Sequence, residues 1–140
     1  MVKTISQKIL FKNSKPETLY NMFLNGKYHS AITGGEAKIS AKEGTSFSVY
    51  DGYAVGKNLQ LIKDKLIIQS WFAADWSESD LDSILILLME EKGKDTIINM
   101  THANIPNAHV KGIKKGWTDF YWKPWKKYLR EQKRRLTDNL

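Results

Sequence analysis

Cysteine is absent from the 140 residues, which excludes disulfides, thiolate metal sites and thiol nucleophiles and suits a reducing compartment. Histidine is scarce: His29, His102 and His109 are the only three. No HExxH or carboxylate pattern surrounds them, and although His102 and His109 could approach across a turn, ordinary strand or surface roles are expected. Long apolar runs are missing too. MVKTISQKILF is too short in apolar length for a secretory segment, and Ile84 to Met89 falls far below the roughly 20 residues that cross a bilayer. A cytoplasmic protein without a transmembrane segment is the expectation. Gly34-Gly35 lacks the further glycines and the lysine that would cradle a phosphate. Glu90-Glu91 and the pair Asp80 and Asp82 fall at turns and strand ends, where solvated carboxylates are expected rather than a convergent acid/base pair. No catalytic constellation, metal or cofactor is therefore expected, and binding is the class of function that remains.

What is present in excess is positive charge. The 22 Lys and Arg outnumber the 15 Asp and Glu, for a formal net charge of +7, and this favours an acidic protein face, a phosphate backbone or an anionic membrane surface. A chain of this length suits one domain that buries roughly two-thirds of its unfolded surface. Residues 1–133 are expected to form it, with 134–140 a basic, fraying tail.

Lys3 to Phe11 alternates enough to predict a first strand. Ser14-Lys-Pro-Glu17 then places a serine cap, an early proline and a glutamate three residues on, which predicts a helix beginning at Ser14. Leu19, Tyr20, Phe23 and Leu24 give it an apolar face until Asn25-Gly26. A second short helix is expected over Lys27 to Ile32, ended by Gly34-Gly35. Strands follow near Glu36–Ala41, Ser46–Tyr50, Ala54–Ile62, Leu66–Phe72, Ser83–Glu91 and Thr96–Ala103, and their tight turns imply an antiparallel meander. In the fifth of these, Ile84, Ile86 and Leu88 lie on one face and Leu85, Leu87 and Met89 on the other. One face can meet the core, and the second is a candidate partner or homodimer surface.

A long helix is expected from about Val110 through Lys133. Ile113, Trp117, Phe120, Tyr121, Pro124, Tyr128 and Leu129 recur at three- and four-residue steps as a wide aromatic stripe. Pro124 should leave the Phe120 carbonyl without its helical partner and bend the backbone. Packing that stripe onto the inner side of a curved sheet is the simplest architecture. Trp71 and Trp76 with Trp117, Phe120 and Tyr121 could then either fill the space as core or line a cavity for an apolar small molecule. Lys123, Lys126, Lys127 and Arg130 form a basic face suited to an acidic protein partner. With Trp122 and Trp125 the same face could also grip phosphates and stack bases, but no nucleic-acid motif accompanies it.

Several stretches in series carry a resemblance: Gly34-Gly35, Ser46-Phe-Ser-Val-Tyr-Asp-Gly52, Gly56-Lys57, Ile67-Ile-Gln-Ser-Trp71, Asn104-Ile-Pro106 and Lys115-Gly-Trp117 with Tyr121-Trp122. Together they resemble the family related to the C-terminal domain of the activator of the 90-kilodalton heat-shock protein ATPase, within the START-like (SRPBCC) superfamily. The resemblance runs from the first strand to about Leu129. It implies an α+β helix-grip fold, a curved antiparallel sheet wrapped around a long C-terminal helix, with two short helices after the first strand. It also implies a chaperone partner whose ATPase is modulated without catalysis by this chain. The family's activators carry a further N-terminal domain that makes much of the chaperone contact, and 140 residues have no room for it. The chain also departs from the pattern, with Phe72-Ala73 where a basic residue often follows the tryptophan and Asp80-Leu-Asp-Ser83 where a histidine commonly opens the next strand.

Overall fold

The computed structural model describes residues 1–138, so the last two positions of the expected fraying tail lie outside the described residues. Strand β1 (Val2–Phe11) is followed by helices α1 (Pro16–Leu24) and α2 (Gly26–Thr33), then by strands β2 (Ser46–Val49), β3 (Ala54–Ile62), β4 (Leu66–Ala73), β5 (Ser83–Lys92) and β6 (Asp95–Pro106). A single turn of 3₁₀-helix leads into the closing helix, which comprises α3 (Val110–Trp117), a π-helical segment over Thr118–Trp122, and α4 (Lys123–Asp138). The strands form one antiparallel sheet in the order β1-β6-β5-β4-β3-β2. It curves around the closing helix, which makes this the α+β helix-grip architecture.

Alternation along the strands explains the curvature's inside. In β5, Leu85, Leu87 and Met89 are buried while Ile84 and Ile86 are half-buried and Leu88 is exposed. On β4 and β6 the buried positions likewise alternate. The outer face therefore keeps apolar cross-strand pairs, Ile68 beside Ile86 and Leu66 beside Leu88. Gly56 marks a point where only hydrogen fits, because a Cβ there would stand 1.8 Å from the Ser70 carbonyl oxygen on β4.

Two local expectations are corrected. Ser14 does not cap α1: Lys15 occupies the cap position with Pro16 as the first helical residue, while Ser14 Oγ donates to the Lys12 carbonyl at 3.0 Å. The side-chain cap belongs to α2, where Asn25 Oδ1 accepts from the backbone N–H groups of Lys27 and Tyr28. No strand spans Glu36–Ala41 either. That segment makes one bridge, Lys38 to Ser48, because its backbone is claimed elsewhere. The Ala37 N–H donates to Ser30 Oγ on α2 at 2.8 Å, and the Glu36 N–H donates to Asp51 Oδ1 at 3.0 Å.

Candidate functional site

The closing helix positions every candidate residue but Trp71 on β4 and Trp76 just after it, and its winding decides which of its own residues face the sheet. Ile113, Trp117, Tyr121, Trp125 and Leu129 are all buried, a strict four-residue repeat. On a regular α-helix each such step overshoots a full turn by about 40°, so the row would rotate away from the sheet. The π segment counters part of that drift with a wider turn: the Lys123 N–H reaches back five residues to the Thr118 carbonyl. This reassigns the aromatics. Trp122 and Trp125, expected beside the basic face, are 4% and 0% exposed, whereas Phe120, expected on the inward stripe, is 57% exposed.

Pro124, at the start of α4, has no N–H to offer the Phe120 carbonyl. The Tyr50 hydroxyl, from the turn between β2 and β3, donates to that carbonyl instead. Tyr50 and Asp51 both hold positive φ, 51° and 58°, as a tight hairpin turn requires. The turn thus aims a tyrosine at the one carbonyl that the proline leaves open.

Between this turn, β4 and α3 lies a hollow of about 430 Å³, bordered by Tyr50, Tyr53, Trp71, Gly112, Gly116 and Phe120 among others. Its helical wall exists because two glycines stand one turn apart. A Cβ at Gly112 would meet nothing within 4 Å, and one at Gly116 would meet only the Phe120 ring edge, at 3.7 Å. Trp117 and Tyr121 also border the hollow. Trp76 does not; it packs against Trp71, with ring centroids 5.6 Å apart, and against Phe72 at 5.4 Å.

Beneath the hollow, polar groups are spoken for. The Trp117 indole N–H donates to His102 Nδ1 at 3.1 Å. An indole nitrogen only donates, so Nδ1 is the acceptor and His102 carries its proton on Nε2. That proton is donated to Ser83 Oγ at 2.8 Å, and the Ser83 hydroxyl donates in turn to the Trp71 carbonyl at 2.5 Å. Ser83 and His102 have the spacing of a nucleophile and its base, yet the protons run the wrong way for one to activate the other. Burial lowers the His102 pKa to about 3. His29 repeats the arrangement on α2. Its Nδ1–H donates to the Phe23 carbonyl at 2.8 Å and its Nε2 accepts from the Tyr121 hydroxyl at 2.9 Å. Burial pushes the His29 pKa down and the Tyr121 pKa well up, the latter helped by the nearby Tyr50 phenol. Neither pairing is signalled by spacing, since the partners are 15 and 92 residues apart. Among the described residues no group of His, Cys, Asp and Glu could hold a metal ion.

The four predicted basic residues all border one groove, although their charges do not all point into it. Lys123, Lys126, Lys127 and Arg130 line a groove of about 710 Å³ between α2 and α4, with Asp119 and Glu131 on the same walls. Lys123 is 3.3 Å from Asp119. Lys126 Nζ turns the other way and lies 5.8 Å from the centroid of the Phe11 ring. No helix among the described residues is long and apolar enough to cross a membrane.

Comparison with known proteins extends this picture. The family model described as activator of Hsp90 ATPase homolog 1-like protein matches residues 13–130. The human activator of 90 kDa heat shock protein ATPase homolog 1 is 27% identical over 124 residues, covering 86% of this chain and 36% of the human protein. A Dictyostelium discoideum homologue is 27% identical over 115 residues, 82% of this chain and 30% of that protein. The chain thus spans about a third of the length of the curated relatives it matches. Among solved structures, an HSP90 activator from Plasmodium falciparum superposes with a TM-score of 0.78 at 26% identity, covering 92% of this chain and 96% of that one.

Proposed function

Because the chain belongs to the activator of Hsp90 ATPase homolog 1-like family, we propose that it is a non-catalytic binding domain that engages a chaperone ATPase and shifts its conformational equilibrium. The family match across residues 13–130 carries this reading. Lys123, Lys127 and Arg130 on the groove between α2 and α4 support it by offering cations to an acidic partner, with Lys126 turned to the opposite side of the helix. A co-chaperone of this kind supplies no hydrolytic group; it binds one state of a large partner better than another and raises that state's population. The test is a titration of the purified chain into a 90-kDa heat-shock protein ATPase assay, beside a binding measurement on the same pair. Saturable binding with altered turnover is expected, weakened by Lys123→Glu with Lys127→Glu. Neither association nor a change in turnover would sink the reading.

The hollow beside Gly112 and Gly116 supports a second reading, binding of a small apolar molecule. Its volume of about 430 Å³ is within the range of ligand sites. Of its lining side chains, the Tyr50 and Tyr121 hydroxyls and the Trp117 N–H already donate to protein acceptors, which suits a ligand with few polar demands. Gly112→Leu fills the hollow from a helical position whose Cβ has free space, and it raises helix propensity by about 1 kcal/mol. The variant should melt no lower than the parent while losing the fluorescence of bound N-phenylnaphthylamine. Equal probe binding by both would place the probe elsewhere.

A further inference from the structure

β1 is an edge strand: β6 pairs with one of its flanks, and the other borders the closing helix. Along that second flank run two hollows of about 250 and 360 Å³, which share Leu10 and Lys126. The seam is closed at one end by Gln7, whose amide bridges strand and helix. Its Nε2 donates to the Lys114 carbonyl, and its Oε1 accepts from the Trp122 indole at 2.7 Å. From Lys8 to Phe11 the two hollows follow it, and at Lys12 a second bridge from the helix closes it.

Two properties set this seam apart. The first is charge: Lys8, Lys12, Lys126, Arg130 and Lys133 line it, and among the described residues no carboxylate does. The groove between α2 and α4 mixes its lysines with Asp119 and Glu131, and so offers a weaker field. Two of the cations are held at the seam. Lys126 lies over the Phe11 ring, and Lys133 Nζ donates to the Lys12 carbonyl at 2.7 Å. The second property is an apolar floor. Phe11 and Leu129 are buried there, while Leu10 is 41% exposed. A nucleic acid would want rings to stack on, but Trp122 and Trp125 are buried. An extended peptide would find the backbone groups of an edge strand.

We propose that the seam between β1 and α4 is a docking site for an extended, acidic peptide segment with interspersed apolar residues, which adds along the edge of β1 over Lys8–Phe11, beside the Lys12 side chain. The site deepens the binding-domain reading by naming the chemistry of the partner segment, and rests on that reading for its biological use alone. The apolar side chains of the segment settle against Leu10 and Leu129, and its carboxylates face Lys12, Lys126 and Arg130. Lys8 on β1 and Lys12 just after it are cations that no inspection of the closing helix's own basic run would find.

A fluorescein-labelled peptide of alternating Glu and Val, titrated into the intact chain, tests this by polarisation and by amide shift mapping. Saturable binding is expected, with shifts concentrated on Lys8–Lys12 and the facing side of α4. Lys12→Glu and Arg130→Glu, each confirmed folded by its thermal melt, should weaken binding by at least about tenfold, since each sets a carboxylate against the peptide's own. The double reversal should weaken binding further than either single change. The proposal is overturned if the Glu-Val peptide shows no saturable binding, or if an alternating Glu and Gly peptide or a single-stranded oligonucleotide of equal charge binds as well. Shifts on the α2 side of α4 would overturn it too. Peptide binding that responds to the reversals upholds the seam even if the chaperone ATPase is unmoved. A chaperone effect that both reversals leave intact, with no peptide binding, removes the seam and spares the co-chaperone reading.

Discussion

At the scale of single residues, two neutral histidines hold the closing helix to the rest of the molecule. His102 accepts from Trp117 and His29 accepts from Tyr121, so each contact needs an unprotonated ring nitrogen. The His102 pKa lies at about 3, below the ordinary value of 6.5, and His29 is lowered as well. Above pH 6.5 both folded and unfolded chains are neutral at these rings, and the full contribution is present. As pH falls from 6.5 towards 3, the unfolded chain takes up a proton that folded His102 refuses. Stability then declines by roughly 1.4 kcal/mol per pH unit for that one group. His102→Gln keeps an acceptor for Trp117 and a donor for Ser83 without titrating. Urea midpoints measured across this window should therefore slope less steeply in the variant. Parallel slopes would show that His102 does not couple to folding. The sequence shows these histidines only as isolated residues on a strand and a helix. Their roles come from partners in other elements.

At the scale of elements, the closing helix was legible as to its existence, its amphipathic character and its Pro124 defect, because all three are local properties of a periodic segment. Its facing was not. A 3.6-residue period places Phe120 inward and leaves Trp122 and Trp125 beside the lysines, whereas the π segment turns Trp122 and Trp125 in and Phe120 out. The sequence did carry a trace of this, the uninterrupted four-residue series from Ile113 to Leu129. The defect at Pro124 and the turn at Tyr50 form one device, with the Tyr50 hydroxyl donating to the carbonyl that the proline cannot serve. Tyr50→Phe should cost about 1 kcal/mol in the parent protein. In a Pro124→Ala background the helix can supply its own N–H, and the same change should cost less. A double-mutant cycle in denaturant measures the difference, and additive costs would separate the two residues.

Over the whole molecule, a sheet and one helix share a single core, and Trp125 stands at its centre. It is fully buried against Phe11, Phe23, Tyr121 and Trp122, and so ties β1 and α1 to the closing helix. Trp125→Ala should cost about 3–5 kcal/mol, a large share of a typical domain's 5–15 kcal/mol. Trp125→Phe should cost much less. Its indole N–H is buried without a partner, and the smaller ring removes that unmet donor. Thermal melts of the two variants decide it, and equal losses would show that ring volume rather than its presence matters. The order of strands and helices, save for the strand expected over Glu36–Ala41, the exclusion of thiol chemistry, the amphipathic helix and the family resemblance were determined by the sequence alone, because each is written in neighbouring residues. Only the tertiary structure decided that β1 lysines meet α4 lysines in one seam, that glycines open a hollow and that two histidines accept from Trp117 and Tyr121. Those meetings join residues up to 121 positions apart. They depend on strand register and on the rotation of the closing helix, which local periodicity does not encode.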